Sequence, residues 1–290
     1  MEVVLAESLG MCFGVRDAIT LALQAPQGLT VLGELVHNRT VLGRLERAGV
    51  RTAAGLDAVV ATDRVMITAH GAAQQRITQL RARGLQVEDA TCPLVRHAHR
   101  SLHRLVEEGF YPVVIGKPDH VEVRGLVDDF AACAVIQSDA DLPALKGHAK
   151  LGIVSQTTQP LAAVLALVEQ IRAAYPNTEV RFIDTVCAPT KERQEAAHRL
   201  GHSCPVVIVV GGRHSNNTRQ LVQTCAAAGA RVYQVEGADD LNPDWLRDAS
   251  GDWVSRVGLT AGTSTPDEVI RAVHQCLLSM PGRDQFRAAA

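Results

Sequence analysis

The sequence has no surplus of charge of one sign. Its 29 Lys and Arg face 31 Asp and Glu, a net charge of -2, so it carries no field to gather nucleic acid or an anionic membrane. Any anionic ligand has to be held by local groups. It also lacks a leading apolar run, because the first twenty residues already carry Glu2, Glu7, Arg16 and Asp17. That suits neither a signal peptide nor a membrane span, and the cytoplasm is the expected compartment. There is no CxxC pair. Seven cysteines, at 12, 92, 133, 187, 204, 225 and 276, form an odd and scattered set, which argues against a disulfide framework or a zinc knuckle and for free thiols. No Pro-rich or Gly/Ser-rich linker divides the chain, no GxSxG elbow offers a serine nucleophile, and neither GxGxxG nor a P-loop lysine is present.

What is present is alternation. Apolar, β-branched runs recur at 2–6, 65–69, 111–116, 151–155, 206–212 and 256–262, as expected of strands buried on both faces of parallel sheets. Helical patterns lie between them, at 39–49, 72–84, 161–176 and 266–282, which predicts an α/β fold. Three segments resemble one another: "AESLGMCFGVRDA" (6–18), "VEDATCPLVRHAH" (87–99) and "FIDTVCAPTKERQEA" (182–196). Each runs from an extended stretch through a cysteine into a helical pattern bearing Arg. The repeat predicts three similar small α/β units, 13–92, 93–186 and 187–280, with 1–12 as an added strand and 281–290 as a tail.

In open α/β sheets ligands bind beyond the carboxyl ends of the strands. The loops there supply His70, His120, Glu122, Thr157, Thr158, Ser215, Asn216, Asn217 and Ser264, hydrogen-bonding groups and helix caps suited to a phosphate. Cys12, Cys92 and Cys187 stand at the three repeated junctions, whereas Cys133, Cys204, Cys225 and Cys276 read as small buried hydrophobes. Three thiolates suit an iron-sulfur cluster with one iron open to substrate. Zinc held by Cys92 with His97, His99 or His103 is the competing use, and these histidines read instead as solvated residues on the following helix. A zinc- or cysteine-dependent hydrolase acting on a phosphorylated ligand, and a non-catalytic phosphate-binding module, remain open on residue types alone.

Nine stretches in order, "GMCFGV", "ELVHNRTV", "TAHG", "DATCPLV", "HVEV", "SQTT", "DTVCAPTKERQEA", "GGRHSNNTR" and "TAGTSTPD", carry a resemblance over nearly the whole chain to the 4-hydroxy-3-methylbut-2-enyl diphosphate reductases, the IspH/LytB family. The resemblance implies three α/β domains arranged pseudo-threefold around a central 4Fe-4S cluster held by Cys12, Cys92 and Cys187. It implies diphosphate contacts from His37, His70, His120, Ser215, Asn216, Asn217 and Ser264, proton delivery by Glu122, and Thr157 beside the substrate hydroxyl. The implied reaction is two-electron reductive dehydroxylation to isopentenyl and dimethylallyl diphosphates, the last step of the non-mevalonate isoprenoid pathway, with reduced ferredoxin or flavodoxin as electron donor. Neither nucleic acid nor membrane is an implied partner. The stretch "KPDHVEVRGL" departs from the family's usual pattern at Lys117, Val121, Arg124 and Leu126, which keeps a divergent paralogue as an alternative.

Overall fold

The structure, a computed structural model, describes residues 1–24, 27–36 and 38–280. Along the chain run β1 (Glu2–Leu5), α1 (Phe13–Gln24), β2 (Leu29–Leu32), α2 (Arg39–Arg47), β3 (Arg51–Ala53), β4 (Arg64–Ile67), α3 (Gln74–Ala82), β5 (Gln86–Asp89) and α4 (Pro93–Glu107). Next come β6 (Tyr111–Ile115), α5 (Val121–Val127), β7 (Ala134–Ile136), β8 (Lys150–Ser155), α6 (Leu161–Ala174), β9 (Glu179–Phe182) and α7 (Ala188–Ser203). The last elements are β10 (Val206–Val210), α8 (Asn216–Ala227), β11 (Arg231–Val235), β12 (Arg256–Ala261) and α9 (Asp267–Ser279).

The strands form three parallel four-stranded sheets, ordered β3-β2-β4-β5, β7-β6-β8-β9 and β1-β12-β10-β11. The expected α/β class is therefore met. Among the described residues no helix is long and apolar enough to cross a membrane. The chain divides into two compact units. One comprises residues 1–12, 38–41 and 188–280 and holds the sheet of β1; the other comprises residues 13–36 and 42–187 and holds the other two sheets.

Burial on both faces explains the apolar runs. In β10, Val206, Ile208 and Val210 pack into one core with Val273 and Leu277 of α9, while Val207 and Val209 pack into another with Ala197, Leu200 and Leu221. In the two-sheet unit, Val113, Ile115, Leu151 and Ile153 meet α6, and Val114 and Val154 meet Ala98, Leu102 and Leu105 of α4. Successive residues of a strand point to opposite faces, so a continuous apolar run is what a doubly covered strand requires. One glycine in β8 is there for close approach: a Cβ on Gly152 would lie 2.8 Å from the Cβ of Leu105 on α4.

The two helices that follow Cys92 and Cys187 belong to the next sheet. β5 ends the first sheet and α4 packs on β6 and β8 of the second; β9 ends the second and α7 packs in the core under β10. A cysteine thus marks each of these crossings.

Candidate active site

Glu122 is the most informative side chain. It lies in the first turn of α5, beyond the loop that follows β6, and is only 1% exposed. Both carboxyl oxygens are taken by Thr157, which follows β8: its N–H donates to Oε1 at 2.6 Å and its hydroxyl to Oε2 at 3.0 Å. Burial pushes the Glu122 carboxyl up to about 7, and the two Thr157 bonds hold it down only in part. A carboxyl poised there is suited to give and take a proton at neutral pH.

The residue just before α5 has its tautomer fixed by the helix it caps. His120 caps α5, and its Nδ1 accepts from the Glu122 N–H at 3.2 Å. An accepting Nδ1 is unprotonated, so this ring is neutral and carries its proton on Nε2, as a donor. The His70 ring stands edge-on to it, centroids 5.6 Å apart, with Nδ1 3.4 Å from the Thr68 hydroxyl. His70, His120, Glu122 and Thr157 are thus gathered within the two-sheet unit. His37 lies outside the described residues.

The other unit holds a second polar cluster beyond β10 and β12. Ser215 caps α8 by accepting from the Thr218 N–H at 3.3 Å, and Asn217 Oδ1 accepts from the Thr263 N–H at 3.0 Å. Ser215, Asn216, Asn217 and Ser264 are all buried. Three atoms here have no hydrogen-bond partner although buried: Asn217 Nδ2, Thr218 Oγ1 and Ser264 Oγ. Buried polar atoms left unpaired are costly in a folded protein, each on the order of 1–3 kcal/mol. Together with the first-turn N–H groups of α8, they make a donor-rich cradle for an anionic ligand.

The three junction cysteines repeat one backbone pattern. Cys12, Cys92 and Cys187 donate their N–H groups to the carbonyls of Thr263, Ala69 and Thr157, at 3.1, 3.0 and 3.0 Å. Each carbonyl lies two residues beyond an inner strand, β12, β4 or β8. Two positions upstream, Gly10 and Ala90 donate N–H groups to the last residues of β12 and β4, and the Thr185 hydroxyl bonds the last carbonyl of β8. A helix begins at the residue after each cysteine. Cys12 lies in one unit, Cys92 and Cys187 in the other, and among the described residues no three His, Cys, Asp or Glu side chains are grouped to hold a metal ion.

The surroundings of the three still fit thiolate ligation. Cys204 and Cys225 are buried among apolar side chains, and burial raises their thiols, Cys225 to about 12. Cys12, Cys92 and Cys187 are part exposed. Cys92 stands at the N-cap of α4 and makes no side-chain cap bond to that helix. Its thiol also has a cradle: a Cβ on Gly14 would lie 2.5 Å from Cys92 Sγ. Of the four cysteines read as buried hydrophobes, Cys204 and Cys225 are buried, whereas Cys133 and Cys276 are part exposed.

One expectation is corrected. His99 is not a solvated helix residue but is 9% exposed, beside Gly71 and Val95, and burial lowers its imidazole to about 4. The helix rotation decides this, because His99 shares the inward face of α4 with Val95, Ala98 and Leu102, while His97 faces out. His103 is half-exposed and pairs with Asp129 at 3.3 Å.

Two residues of the site are not among those singled out from the sequence. Gln156 is fully buried, its Oε1 accepting from the Lys117 N–H at 3.1 Å and its Nε2 bonding the Thr158 hydroxyl at 3.0 Å. It ties the loop before Glu122 to the loop of Thr157. Thr218 is the other, with its unpaired hydroxyl. Both sit inside stretches that carry the family resemblance, "SQTT" and "GGRHSNNTR". Of the departures, Leu126 is core, 1% exposed against α4.

Among curated proteins, the chain is 36% identical over 281 residues to a 4-hydroxy-3-methylbut-2-enyl diphosphate reductase of Aquifex aeolicus, covering 94% of each. It is 36% identical over 284 residues to the protein of that name from Geobacter metallireducens, covering 95% of this chain and 98% of the relative. A solved (E)-4-hydroxy-3-methyl-but-2-enyl diphosphate reductase, described as the terminal enzyme of the non-mevalonate pathway, matches with a TM-score of 0.68 at 33% identity. That match covers 97% of this chain and 100% of that one. The E-1-hydroxy-2-methyl-but-2-enyl-4-diphosphate reductase from Plasmodium falciparum matches with a TM-score of 0.88 at 27% identity, over 97% of this chain and 88% of that one. The family profile described as LytB protein spans residues 3–278, and by that near-complete match the chain belongs to the LytB protein family.

Proposed function

We propose that the chain reduces (E)-4-hydroxy-3-methylbut-2-enyl diphosphate to isopentenyl and dimethylallyl diphosphates, closing the non-mevalonate isoprenoid pathway in the cytoplasm. The balance is simple: the allylic C–O bond breaks, two electrons and two protons enter, and water leaves. Reduced ferredoxin or flavodoxin supplies the electrons, one per encounter. In this reading each sheet with its helices is a domain, 13–92, 93–186 and 187–280 with the strand of 1–12; the stretch 281–290 lies outside the described residues.

A 4Fe-4S cluster held by Cys12, Cys92 and Cys187 would supply the electrons and, at the iron without a cysteine, Lewis acidity toward the substrate hydroxyl. The repeated backbone bonds of the three cysteines support that ligand set. The chain's own residues supply binding and protons. His37, His70 and His120 donate to diphosphate oxygens, His120 through Nε2–H. Ser215, Asn216, Asn217 and Ser264 hold the same group, and the unpaired Asn217 Nδ2 and Ser264 Oγ are the donors that favour this use.

The observation that carries the proposal is the Glu122–Thr157 pair. Oε1 accepts the Thr157 N–H, so Oε2 is the oxygen left to take the acid proton; the Thr157 hydroxyl, 3.0 Å away, donates to Oε2 while the carboxyl is ionised and turns to accept from it once Oε2 is protonated. A proton passes from Oε2 through Thr157 Oγ1 to the departing oxygen or to the allylic carbon. Anaerobically purified protein is expected to contain iron and sulfide and to convert the diphosphate with reduced methyl viologen. Cys12→Ser, Cys92→Ser and Cys187→Ser should each lose the iron, while Cys276→Ser keeps it. A colourless wild-type preparation with full turnover overturns the proposal, and so does equal iron in all five proteins.

A further inference from the structure

Cys92 begins an i, i+4 row on α4 that continues through Arg96, Arg100 and Arg104. The three arginines are exposed and line one side of a groove of about 460 Å³ between α3 and α4. Arg96 is spent locally, on Asp89 at 3.1 Å and on the carbonyls of Asp89 and Thr91. Arg100 and Arg104 form no ion pair among the described residues. The acidic groups of the groove are that Asp89 and Glu107; Asp129, just behind, is taken by His103 and by the N–H groups of Gln74 and Gln75. Arg100 and Arg104 thus stand in the groove without an ion pair, against the single carboxylate of Glu107, on a protein whose net charge is -2.

A second, smaller cleft of about 180 Å³ adjoins the groove, sharing Asp89 and Thr91 with it. It is lined by Gly14, Asp17, Cys92 and Pro93, so the junction cysteine borders solvent at the end of the arginine row. Eight residues of helix separate Arg96 from Arg104, about 12 Å. That length suits the footprint of a small protein partner rather than a single phosphate.

We infer that the outer face of α4, Arg96 to Arg104, docks the acidic one-electron carrier protein that feeds the site through Cys92. The inference rests on the proposed reductase reading. Each carrier gives up one electron and leaves oxidised, so two dockings serve one turnover. A row of positive charge steers an acidic partner and sets its orientation. The row ends at a cysteine rather than in bulk protein, which gives the docking a purpose that a general basic patch lacks.

The test is Arg100→Glu with Arg104→Glu in the holoenzyme, against Arg271→Glu on α9 as a charge-reversal control, with reduced flavodoxin as the carrier. The double variant should raise the flavodoxin KM about tenfold at low ionic strength and weaken direct flavodoxin binding by a similar factor. Its salt dependence should flatten. Turnover with reduced methyl viologen, the iron content and the visible spectrum should match the wild type, and the Arg271 variant should change none of these. Unaltered flavodoxin binding and KM overturn the inference. An equal fall in viologen turnover overturns it too, since the row would then be structural. Loss of heparin binding with flavodoxin binding intact would assign the row to another polyanion and overturn it as well. Wild-type protein without iron or viologen turnover would instead overturn the reductase reading itself.

Discussion

The two polar clusters, one in each unit, treat their buried groups in opposite ways. In the two-sheet unit the Glu122 carboxyl is closed, with both oxygens bonded by Thr157 and a neutral His120 alongside. In the other unit the cluster beyond β10 and β12 is open: Asn217 Nδ2, Thr218 Oγ1 and Ser264 Oγ are buried without partners, and no ionisable side chain is among them. The contrast separates two tasks. A group that must change protonation needs its environment fixed, so that burial sets where it titrates. A group that must hold an anion needs a free donor, and the folded chain carries the cost until ligand arrives.

Breaking the closed side should have the largest effect. Glu122→Gln keeps the size of the side chain and an oxygen to accept the Thr157 N–H, but removes the proton. We expect turnover to fall by roughly 10²–10⁴-fold with the cluster spectrum unchanged, as for loss of a general acid. Near-normal kcat in that variant would sink the assignment.

The next effect is on stability against pH, and its sign follows from the shifts. Burial raises Glu122 from 4.5 to about 7, so between those values the folded chain holds a proton that the unfolded chain has lost. Stability from this group falls as pH rises through that window, by roughly 3 kcal/mol at most. His99 works the other way. Its imidazole is lowered to about 4, so the unfolded chain protonates first as pH falls below 6.5, and stability is lost toward pH 4. Between about pH 4.5 and 6.5 the two slopes oppose each other. Hydrogen exchange of the β6 and β8 amides should therefore vary little there in wild type, decline in protection with rising pH in His99→Gln, and gain it in Glu122→Gln. Parallel slopes in the two variants would break the account.

Legibility in the sequence followed burial. The apolar runs mark β1, β4, β6, β8, β10 and β12, five of them the continuously or nearly continuously apolar members of their sheets. The strands without such a run, β3, β5, β7, β9 and β11, lie at sheet edges, and all but β7 are only partly covered, as in "EVRF", where exposed and half-buried residues alternate. Three strands depart from that rule: β2 and β7 are buried but only four and three residues long, and β1 carries an apolar run although it is an edge strand with exposed ends. The junction cysteines were readable because a repeat in sequence reports a repeat in backbone, here the same bond to the loop beyond an inner strand. His99 was not, because its burial depends on helix rotation and on Gly71 leaving room beside it. Gln156 and Thr218 were hidden for a related reason: in a loop a polar residue looks solvated until the packing around it is known.

The open side gives the smallest effect and the sharpest test of the contrast. Ser264→Ala removes a hydroxyl that has no partner in the ligand-free fold, so the melting temperature without ligand should stay level or rise slightly, since an unpaired buried group is lost and no bond with it. The same change should remove about 1 kcal/mol of diphosphate binding, a several-fold rise in KM with kcat nearly constant. Thr157→Val makes the complementary cut, because it leaves the N–H bond to Glu122 Oε1 but strips the hydroxyl from Oε2. There the expected loss is in kcat, and the folded chain should be destabilised even without ligand. If Ser264→Ala destabilised the ligand-free protein as Thr157→Val does, its hydroxyl would be bonded in solution, and the division between a closed proton site and an open binding site would fail at that residue.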